Sequence, residues 1–330
     1  MFLNISDLTE RALIARLRAR VPASPDWVLT GIGDDAAVLA LARGMVEVVT
    51  ADALVEGVHF RREWSSPADI GHKALAVNLS DLAAMGATPR AALLSLTLPP
   101  SFPLDDFDGL LDGFLALAAL TKTPLIGGNL TRSTGGLHID VTLTGAVRPR
   151  RVLRRSGARP GDRLFVTGRL GAAAAGLAAL ISCSSGALAP ESLAMAEALA
   201  LQRRPSPRLR TGIVVANNRS ASACMDLSDG LADAVQQVCE ASGCGADVDT
   251  TKVPIHSSAT LQQALTGGED YELLFAVPRR RTRLFLAAIK QAGEVDVTEI
   301  GVCTKGREIT PMGEGFRHFG TSGLRDPGTP

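Results

Sequence analysis

Residues 73–98 read KALAVNLSDLAAMGATPRAALLSLTL, and they indicate the fold class of this chain. Small and apolar residues predict a helix over 67–86, with Pro67 in its first turn, where proline is favoured. The apolar run at 92–98 predicts a strand soon after that helix ends. A helix followed closely by a strand indicates an α/β arrangement.

The same alternation continues outward in both directions. Strand-like runs occur at 45–50 and 137–147, and residues 104–121 carry apolar residues at helical spacing. Further along, RLFVTG predicts a strand, an alanine-rich stretch a helix, MD a strand end, the region near Asp229 a helix start and YELLFAV a strand. We therefore expect a mixed α/β protein throughout.

Length and composition predict two domains. The chain has 330 residues, more than one hydrophobic core usually organises. Around 148–163 the sequence RPRRVLRRSGARPGDR packs seven arginines with two prolines and two glycines. We place a boundary near residue 149, which gives domains at 1–148 and 149–330. The arginine run is either a solvated linker or a loop in which one guanidinium holds a phosphate bidentately.

Charge and cysteine content exclude several classes of protein. Lysine plus arginine and aspartate plus glutamate each total 34, so no net charge favours nucleic acid or a membrane surface. The five cysteines form no Cys-x-x-Cys pair, which favours a reducing compartment over a disulfide framework or zinc site. The start lacks the pattern of a signal peptide. We expect a soluble, cytoplasmic protein whose partners are small molecules.

Acidic residues recur in short, mostly glycine-containing segments along the chain. They are Asp34 and Asp35 in GIGDDAA, Asp52 in TADALVEGVHF, Asp81 in the helix quoted above, Asp226 and Asp229 in MDLSDG, and Glu269 and Asp270 in GGEDYE. Carboxylates are hard oxygen ligands of the kind that Mg²⁺ prefers, and Mg²⁺ often accompanies substrate phosphates. The pattern favours a Mg²⁺-dependent nucleotide enzyme. It lacks both a full dinucleotide-binding fingerprint and a GxxxxGK[ST] phosphate loop.

Each acidic segment also has a purely structural interpretation. Gly-Asp is common in tight turns, and Ser228 or Asp229 is suited to cap the helix that follows. His59, seven residues after Asp52, is a lone histidine, and lone histidines are more often structural. The metal interpretation is favoured where acids are adjacent, or near a helix C-terminus as Asp81 is, because a cation relieves the repulsion.

Eight segments resemble, in order and spacing, the thiamine-monophosphate kinase family of the aminoimidazole-ribonucleotide-synthetase-like superfamily. They are GIGDDAA, TADALVEGVHF, KALAVNLSDLAAMGA, GGNLTRS, LRRSGARPGD, SPR, MDLSDGL and GGEDYEL, and the match runs from about residue 5 to 320. VEGVHF together with KALAVNLSDLAAMGA is specific to the kinase branch, whereas the acid-bearing turns are shared more widely.

The resemblance implies a two-domain α/β protein of PurM-like architecture. The N-terminal domain would bind ATP and Mg²⁺ and pair with that of a second copy, forming a β-barrel across a homodimer. The C-terminal domain would close the active site. The implied reaction transfers the γ-phosphoryl group of ATP to thiamine monophosphate, giving thiamine diphosphate and ADP, with several Mg²⁺ ions as cofactors and no nucleic acid or membrane partner.

The resemblance also implies residue roles by position. The metal ligands would be Asp34, Asp35, Thr50, Asp52, Asp81, Asp226 and Asp229. Asp81 and Asp226 of this set would be the catalytic residues. Gly128, Asn129, Arg155 and Ser228 would contact the nucleotide, whereas His59 and Glu269 would contact the thiamine phosphate and Phe316 is the nearest aromatic able to stack on its ring.

Two departures from the family pattern leave alternatives open. Asn129 stands where the family segment GGDTTRG has a metal-binding aspartate, and the C-terminal GEGFRHF lacks a tryptophan found in some members. One alternative is an ATP-dependent synthetase of the same superfamily, although no reactive cysteine precedes Cys183. The other, motivated by Asn129, is a nucleotide-binding relative with little catalysis.

Overall fold

The computed structural model describes residues 4–32, 36–184, 192–313 and 315. These residues form two compact α/β units, each with its own main sheet. The first unit takes the described residues of 1–82 and 87–152, and the second takes those of 83–86 and 153–330. None of the helices in these ranges is both long and apolar enough to cross a membrane.

The first unit is built on a four-stranded sheet. Its elements are α1 (Glu10–Arg20), β1 (Val28–Thr30), β2 (Val38–Leu39), β3 (Val46–Val55), α2 (Pro67–Ala84), β4 (Thr88–Leu98), α3 (Leu104–Thr121), β5 (Leu125–Arg132) and β6 (His138–Val147). The strand order is β3-β6-β4-β5, with β4 and β5 parallel and the other pairs antiparallel. Strands β1 and β2 form a separate pair. The helices and strands predicted in this half are confirmed as α2, α3, β3, β4 and β6.

The two faces of this sheet differ sharply in burial. On β6, Ile139, Val141 and Leu143 are buried, whereas the alternate residues His138 and Asp140 are exposed. This alternation with period two is that of a strand covered on one face only. Thr50 and Asp52 of β3 pair with Leu143 and Val141, so they lie on the covered face, where α2 contacts them.

Helices α2 and α3 approach each other at two glycines. A Cβ on Gly113 would lie 1.9 Å from the Ala68 carbonyl oxygen, and one on Gly71 would lie 1.9 Å from the Leu110 carbonyl oxygen. Any residue with a Cβ at either position would therefore push the two helix backbones apart. The close approach of the two backbones at these glycines fixes α2 against α3.

The second unit is built on a five-stranded antiparallel sheet. Its elements are β7 (Arg163–Thr167), α4 (Ala172–Ser184), α5 (Leu193–Arg203), α6 (Leu209–Asn218), β8 (Ala223–Asp226), α7 (Leu231–Ser242), β9 (Gly245–Val248), α8 (Leu261–Thr266), β10 (Leu273–Val277), α9 (Thr282–Ala292) and β11 (Val297–Thr304). The strand order is β8-β10-β7-β11-β9. The strands predicted at RLFVTG, at MD and at YELLFAV are confirmed as β7, β8 and β10.

The start of α7 decides one alternative left open by the sequence. The helix begins at Leu231 with Gly230 as its N-cap, and this glycine makes no side-chain cap bond. The interpretation of Ser228 or Asp229 as a capping residue is therefore wrong. Gly230 has φ +100°, a conformation that strongly favours glycine, so the chain enters the helix through a glycine and not through a polar N-cap residue.

Candidate active site

Three of the predicted site residues, Asp34, Asp35 and Phe316, lie outside the described residues. The remaining predicted residues are distributed between the two units. Thr50, Asp52, His59, Asp81, Gly128 and Asn129 belong to the first unit, and Arg155, Asp226, Ser228, Asp229 and Glu269 belong to the second.

In the first unit, β3 and α2 bring two predicted ligands into contact. The Thr50 hydroxyl donates a hydrogen bond to the Asp81 carboxylate. The backbone N–H of Asp52 donates to Oδ1 of Asn78 at 3.0 Å, and Nδ2 of Asn78 donates to the Ala74 carbonyl at 3.1 Å. Asn78 is fully buried. This amide therefore locks β3 against α2 and sets the position of Asp81 beside Thr50.

His59 lies in the loop that follows β3, and its ring is held by the backbone. Its Nδ1 accepts a hydrogen bond from the Val55 N–H at 3.0 Å, while its carbonyl accepts one from Lys73 Nζ at 3.2 Å. Because Nδ1 is an acceptor, the neutral ring carries its hydrogen on Nε2. An imidazole N–H is a donor of the kind that phosphate oxygens accept.

Glu56 stabilises the same loop, and sequence reasoning missed it. Its carboxylate accepts hydrogen bonds from Arg62 Nε at 2.7 Å and from the Leu137 N–H at 2.8 Å. Burial opposes ionisation of this carboxyl, but the bonds from Arg62 and Leu137 outweigh that effect and lower the pKa of Glu56. The one feature of the sequence that could have drawn attention to Glu56 is its place inside VEGVHF, the segment that resembles the kinase branch.

Gly128 and Asn129 lie on β5, away from Thr50 and Asp81. A Cβ on Gly128 would lie 1.8 Å from the Leu94 carbonyl oxygen, so β4 and β5 require glycine there. Asn129 is exposed and pairs with Ser95 on β4. Since β3 and β5 are opposite edges of the sheet, three inter-strand spacings of ~4.8 Å separate them by about 14 Å.

In the second unit, backbone hydrogen bonds join the segments MDLSDG and GGEDYE. The bonds run from Leu227 N to Glu272 O at 2.8 Å, from Tyr271 N to Leu227 O at 3.1 Å and from Glu269 N to Ser228 O at 2.6 Å. Asp226, at the end of β8, is only 3% exposed. The predicted residues Asp226, Ser228, Asp229 and Glu269 are therefore brought together here.

The GGEDYE segment is held in an uncommon backbone conformation. Glu269 and Tyr271 have φ of 59° and 50°, in the left-handed region that costs an ordinary residue about 1 kcal/mol. Such a conformation persists only where the surrounding contacts enforce it. The bonds to Leu227 and Ser228 supply part of that enforcement.

The last residue of this segment, Glu272, forms a buried ion pair. The side chain of Glu272 is 5% exposed and accepts from both arms of the Arg208 guanidinium, with Nε to Oε2 at 2.8 Å. The Thr167 hydroxyl donates to the same carboxylate at 2.5 Å. Burial opposes the charge on Arg208, but the bond and charge of Glu272 outweigh it and raise the Arg208 pKa. The sequence showed Arg208 in SPR without indicating a role.

Asp270 turns away from this pair and contacts the start of α4. Its carboxylate accepts from the backbone N–H of Gly171 at 2.8 Å and of Ala173 at 3.4 Å. Burial nevertheless raises the pKa of Asp270 to about 7, because the two hydrogen bonds offset only part of the desolvation.

Arg155 contacts the side of α7. Its guanidinium donates to Oε1 of Gln237, and Nε2 of Gln237 donates to Asp233 at 2.5 Å. These bonds connect the exposed loop at Arg155 to the first turn of α7, which begins two residues after Asp229. The contact of Arg155 with a nucleotide stays a prediction.

The donor set has the chemistry of a Mg²⁺ site. The predicted ligands offer carboxylate and hydroxyl oxygens with no thiolate or imidazole, as Mg²⁺ prefers. In the parts of the chain that the structure describes, no three acidic, histidine or cysteine side chains form a metal-binding group. Asp34 and Asp35 lie outside those parts.

Comparisons with known proteins place the chain in a family. AIR synthase related protein, N-terminal domain, matches residues 33–147, and AIR synthase related protein, C-terminal domain, matches 159–313. The thiamine-monophosphate kinase of Salmonella typhimurium is 38% identical over 94% of this chain and 98% of that protein. The chain belongs to the thiamine-monophosphate kinase family.

Solved structures of this family have the same fold. Thiamine-monophosphate kinase from Stenotrophomonas maltophilia aligns with a TM-score of 0.81 and 38% identity, covering 94% of this chain and 98% of that one. AaThiL complexed with AMPPCP and TMP aligns with a TM-score of 0.75 and 28% identity, covering 96% and 99%. The predicted family and the two-domain PurM-like fold are confirmed.

Removal of the buried guanidinium in this family member should destabilise the second unit. We expect Arg208→Met to lower the free energy of unfolding by about 3–5 kcal/mol, because it leaves the Glu272 carboxylate buried without its partner. The matched change Arg163→Met removes an arginine whose partner Glu299 is exposed, and should cost about 1 kcal/mol or less. Urea unfolding measures both, and equal losses would contradict the assignment.

Asp270 should make stability depend on pH. The folded chain holds a proton on Asp270 up to about pH 7, whereas the unfolded chain releases it near the ordinary value of 3.8. Stability should therefore fall as pH rises through this window, by up to about 1.4 kcal/mol per pH unit. Asp270→Asn should lack this slope in urea unfolding at about pH 5, 6 and 7. Parallel curves for both proteins would refute the assignment.

Proposed function

We propose that this chain transfers the γ-phosphoryl group of ATP to thiamine monophosphate, forming thiamine diphosphate and ADP. Its 38% identity to thiamine-monophosphate kinase over nearly the full length carries this conclusion. A relative of the same fold is known in complex with AMPPCP and TMP, which supports the substrate pair. The contact between Thr50 and Asp81 and the joined acid-bearing loops of the second unit agree with it.

The proposed Mg²⁺ ligands are those implied by the family resemblance: Asp34, Asp35, Thr50, Asp52, Asp81, Asp226 and Asp229. Bound Mg²⁺ would neutralise charge between two anionic substrates and favour in-line positioning. Among the described members of this set, the Thr50–Asp81 hydrogen bond supports a shared role. Asp81 and Asp226 are proposed as the acids on which turnover depends most.

The chain's own residues need do little covalent chemistry. A phosphate oxygen of thiamine monophosphate, already ionised at neutral pH, attacks the γ-phosphorus, and the bond to the β,γ-bridging oxygen breaks to release ADP. No strong general base is required for this step. His59, through its Nε2–H, and Glu269 are proposed to contact thiamine monophosphate, and Phe316 to stack on its ring.

The proposed nucleotide contacts are Gly128, Asn129, Arg155 and Ser228. Ser228 is supported by its place between Asp226 and Asp229, where its carbonyl also binds the Glu269 N–H. Arg155 is supported by its bond to Gln237, which aligns it along α7. Asn129 is the least supported by the first unit alone, because it lies on the edge strand opposite Thr50.

We propose that the N-terminal domain, residues 1–148, pairs in a homodimer through its sheet, while residues 149–330 close the active site. On the face of the sheet opposite Val141, Val49 and Leu93 are 63% and 38% exposed, and Ala51 is exposed beside them. An exposed apolar face with unpaired edge strands is what pairing into a barrel would cover.

The deciding experiment measures products with and without the acceptor. Purified protein with ATP and Mg²⁺ should release ADP and form thiamine diphosphate in equal amounts, and only when thiamine monophosphate is present. ATP binding without acceptor-dependent ADP release would refute the kinase assignment and favour a catalytically reduced relative.

Neutralising either proposed catalytic acid should abolish turnover. Asp81→Asn and Asp226→Asn should each lower kcat by at least about 100-fold, because a metal-binding charge is lost. Both variants should stay folded by circular dichroism, since one carboxylate fewer relieves repulsion. Asp112→Asn, at an exposed acid on α3, is the matched control and should keep turnover. Unchanged activity in both site variants would defeat the metal assignment.

Restoring an acid at position 129 should strengthen Mg²⁺ binding. Asn129→Asp adds the negative charge that the family segment carries there, so half-maximal activity should need several-fold less Mg²⁺. Asn218→Asp, the same change on α6, should leave the Mg²⁺ requirement unaltered. If Asn129→Asp also leaves it unaltered, residue 129 is not a metal ligand.

A further inference from the structure

The sheet of the second unit has two chemically different ends. Because β8 and β7 are both antiparallel to β10, the end of β8, the end of β7 and the start of β10 lie together. That end carries the acid-bearing segments MDLSDG and GGEDYE. The opposite end gathers the residues that precede β7 and β8 and those that follow β10, and it is rich in arginine.

A cleft of about 590 Å³ lies at this opposite end. We call it the arginine cleft, and the residues of its wall that matter here are Arg159, Asp162, Ser222, Arg279, Arg280 and Arg281. The wall combines three separate stretches of chain, which are residues 157–162, Ser222 and residues 278–281. Its volume is within the ~300–1,000 Å³ of small-molecule sites.

One carboxylate opposes four guanidinium groups in this cleft. Asp162 is buried. Its Oδ2 accepts hydrogen bonds from the Ser222 hydroxyl at 2.6 Å and from the backbone N–H of Arg159 at 3.0 Å. These two neutral donors stabilise the negative charge of Asp162. The cleft keeps an excess of positive charge.

Most of these guanidinium groups have no partner in the described chain. Arg281 donates to the Arg219 carbonyl at 2.9 Å. The side chains of Arg159, Arg279 and Arg280 form no hydrogen bond or ion pair with any described residue. Four arginines outside the cleft instead pair with acids, in the ion pairs Arg62–Glu56, Arg90–Glu47, Arg163–Glu299 and Arg208–Glu272.

Like charges converging on one concavity repel, and a bound anion converts that repulsion into attraction. A guanidinium offers a planar fork of N–H donors that fits phosphate oxygens bidentately. Three unpaired forks exceed what one phosphate group satisfies, which favours a ligand with two or three linked phosphates. The polyvalent charge of such a ligand also matches the excess in the cleft.

We propose that the arginine cleft is a binding site for the di- or triphosphate group of a small molecule. It is separate from the acid-bearing loops, because β7 has five residues and the four steps of ~3.4 Å between them put about 14 Å between Arg163 and Thr167. The proposal does not depend on the kinase assignment, since it uses neither the acid-bearing loops nor a metal ion.

Calorimetric titration with inorganic tripolyphosphate tests the site. The buffer is freed of divalent metal by a chelating resin, so that the carboxylate-lined loops repel the probe. The full chain should bind one tripolyphosphate, more weakly as salt rises. Arg279→Ala with Arg280→Ala should weaken binding at least tenfold. Both side chains are exposed, so the variant should keep the thermal unfolding midpoint and its turnover with ATP and thiamine monophosphate.

The matched control removes two positive charges from the next helix. Arg283→Ala with Lys290→Ala changes exposed residues of α9 that do not line the cleft. This pair should keep the affinity within about twofold. Equal weakening by both pairs would show a general charge effect and overturn the proposal, as would the absence of saturable binding or unaltered affinity after Arg279 and Arg280 are replaced.

Discussion

Buried Glu272 is the group on which the acid-bearing end of the second unit depends. A carboxylate so deeply buried is stable only if it is paired and fully hydrogen-bonded. Arg208 and the Thr167 hydroxyl meet that requirement. Because Glu272 also accepts the Leu227 N–H through its carbonyl, the ion pair aligns β10 with the segment that carries Asp226 and Asp229.

In the first unit, a buried neutral side chain joins a helix to a strand. Asn78 is fully buried on α2 and uses its amide to bind the Asp52 N–H, while glycine contacts hold α2 against α3. Asp81, on the same helix, then meets the Thr50 hydroxyl. In both units, residues outside the proposed metal site hold the helices and strands that carry the acids. The acids are therefore kept close together although their charges repel one another.

Two populations of arginine lie in different surroundings. Arg62 and Arg208 neutralise carboxylates and thereby orient the loops around His59 and Glu269. Arg279 and Arg280 have no such partner among the described residues and line a cleft. The first population is part of the fold, whereas the charge of the second is available for an anion. The balanced composition of the chain hides this difference, because total charge carries no information on where charges lie.

The sequence by itself determined the alternation of helices and strands, the family and the reaction, because periodicity and short motifs are local properties. The helix at 104–121 appears with the same bounds as α3. GGNLTRS was not recognised as strand β5, since its glycines and polar residues mask the pattern. Only tertiary structure decided that Asp81 bonds Thr50, that Arg208 supports Glu272 and that Asn129 lies on the far edge strand. These contacts join residues distant in sequence, so no local pattern specifies them.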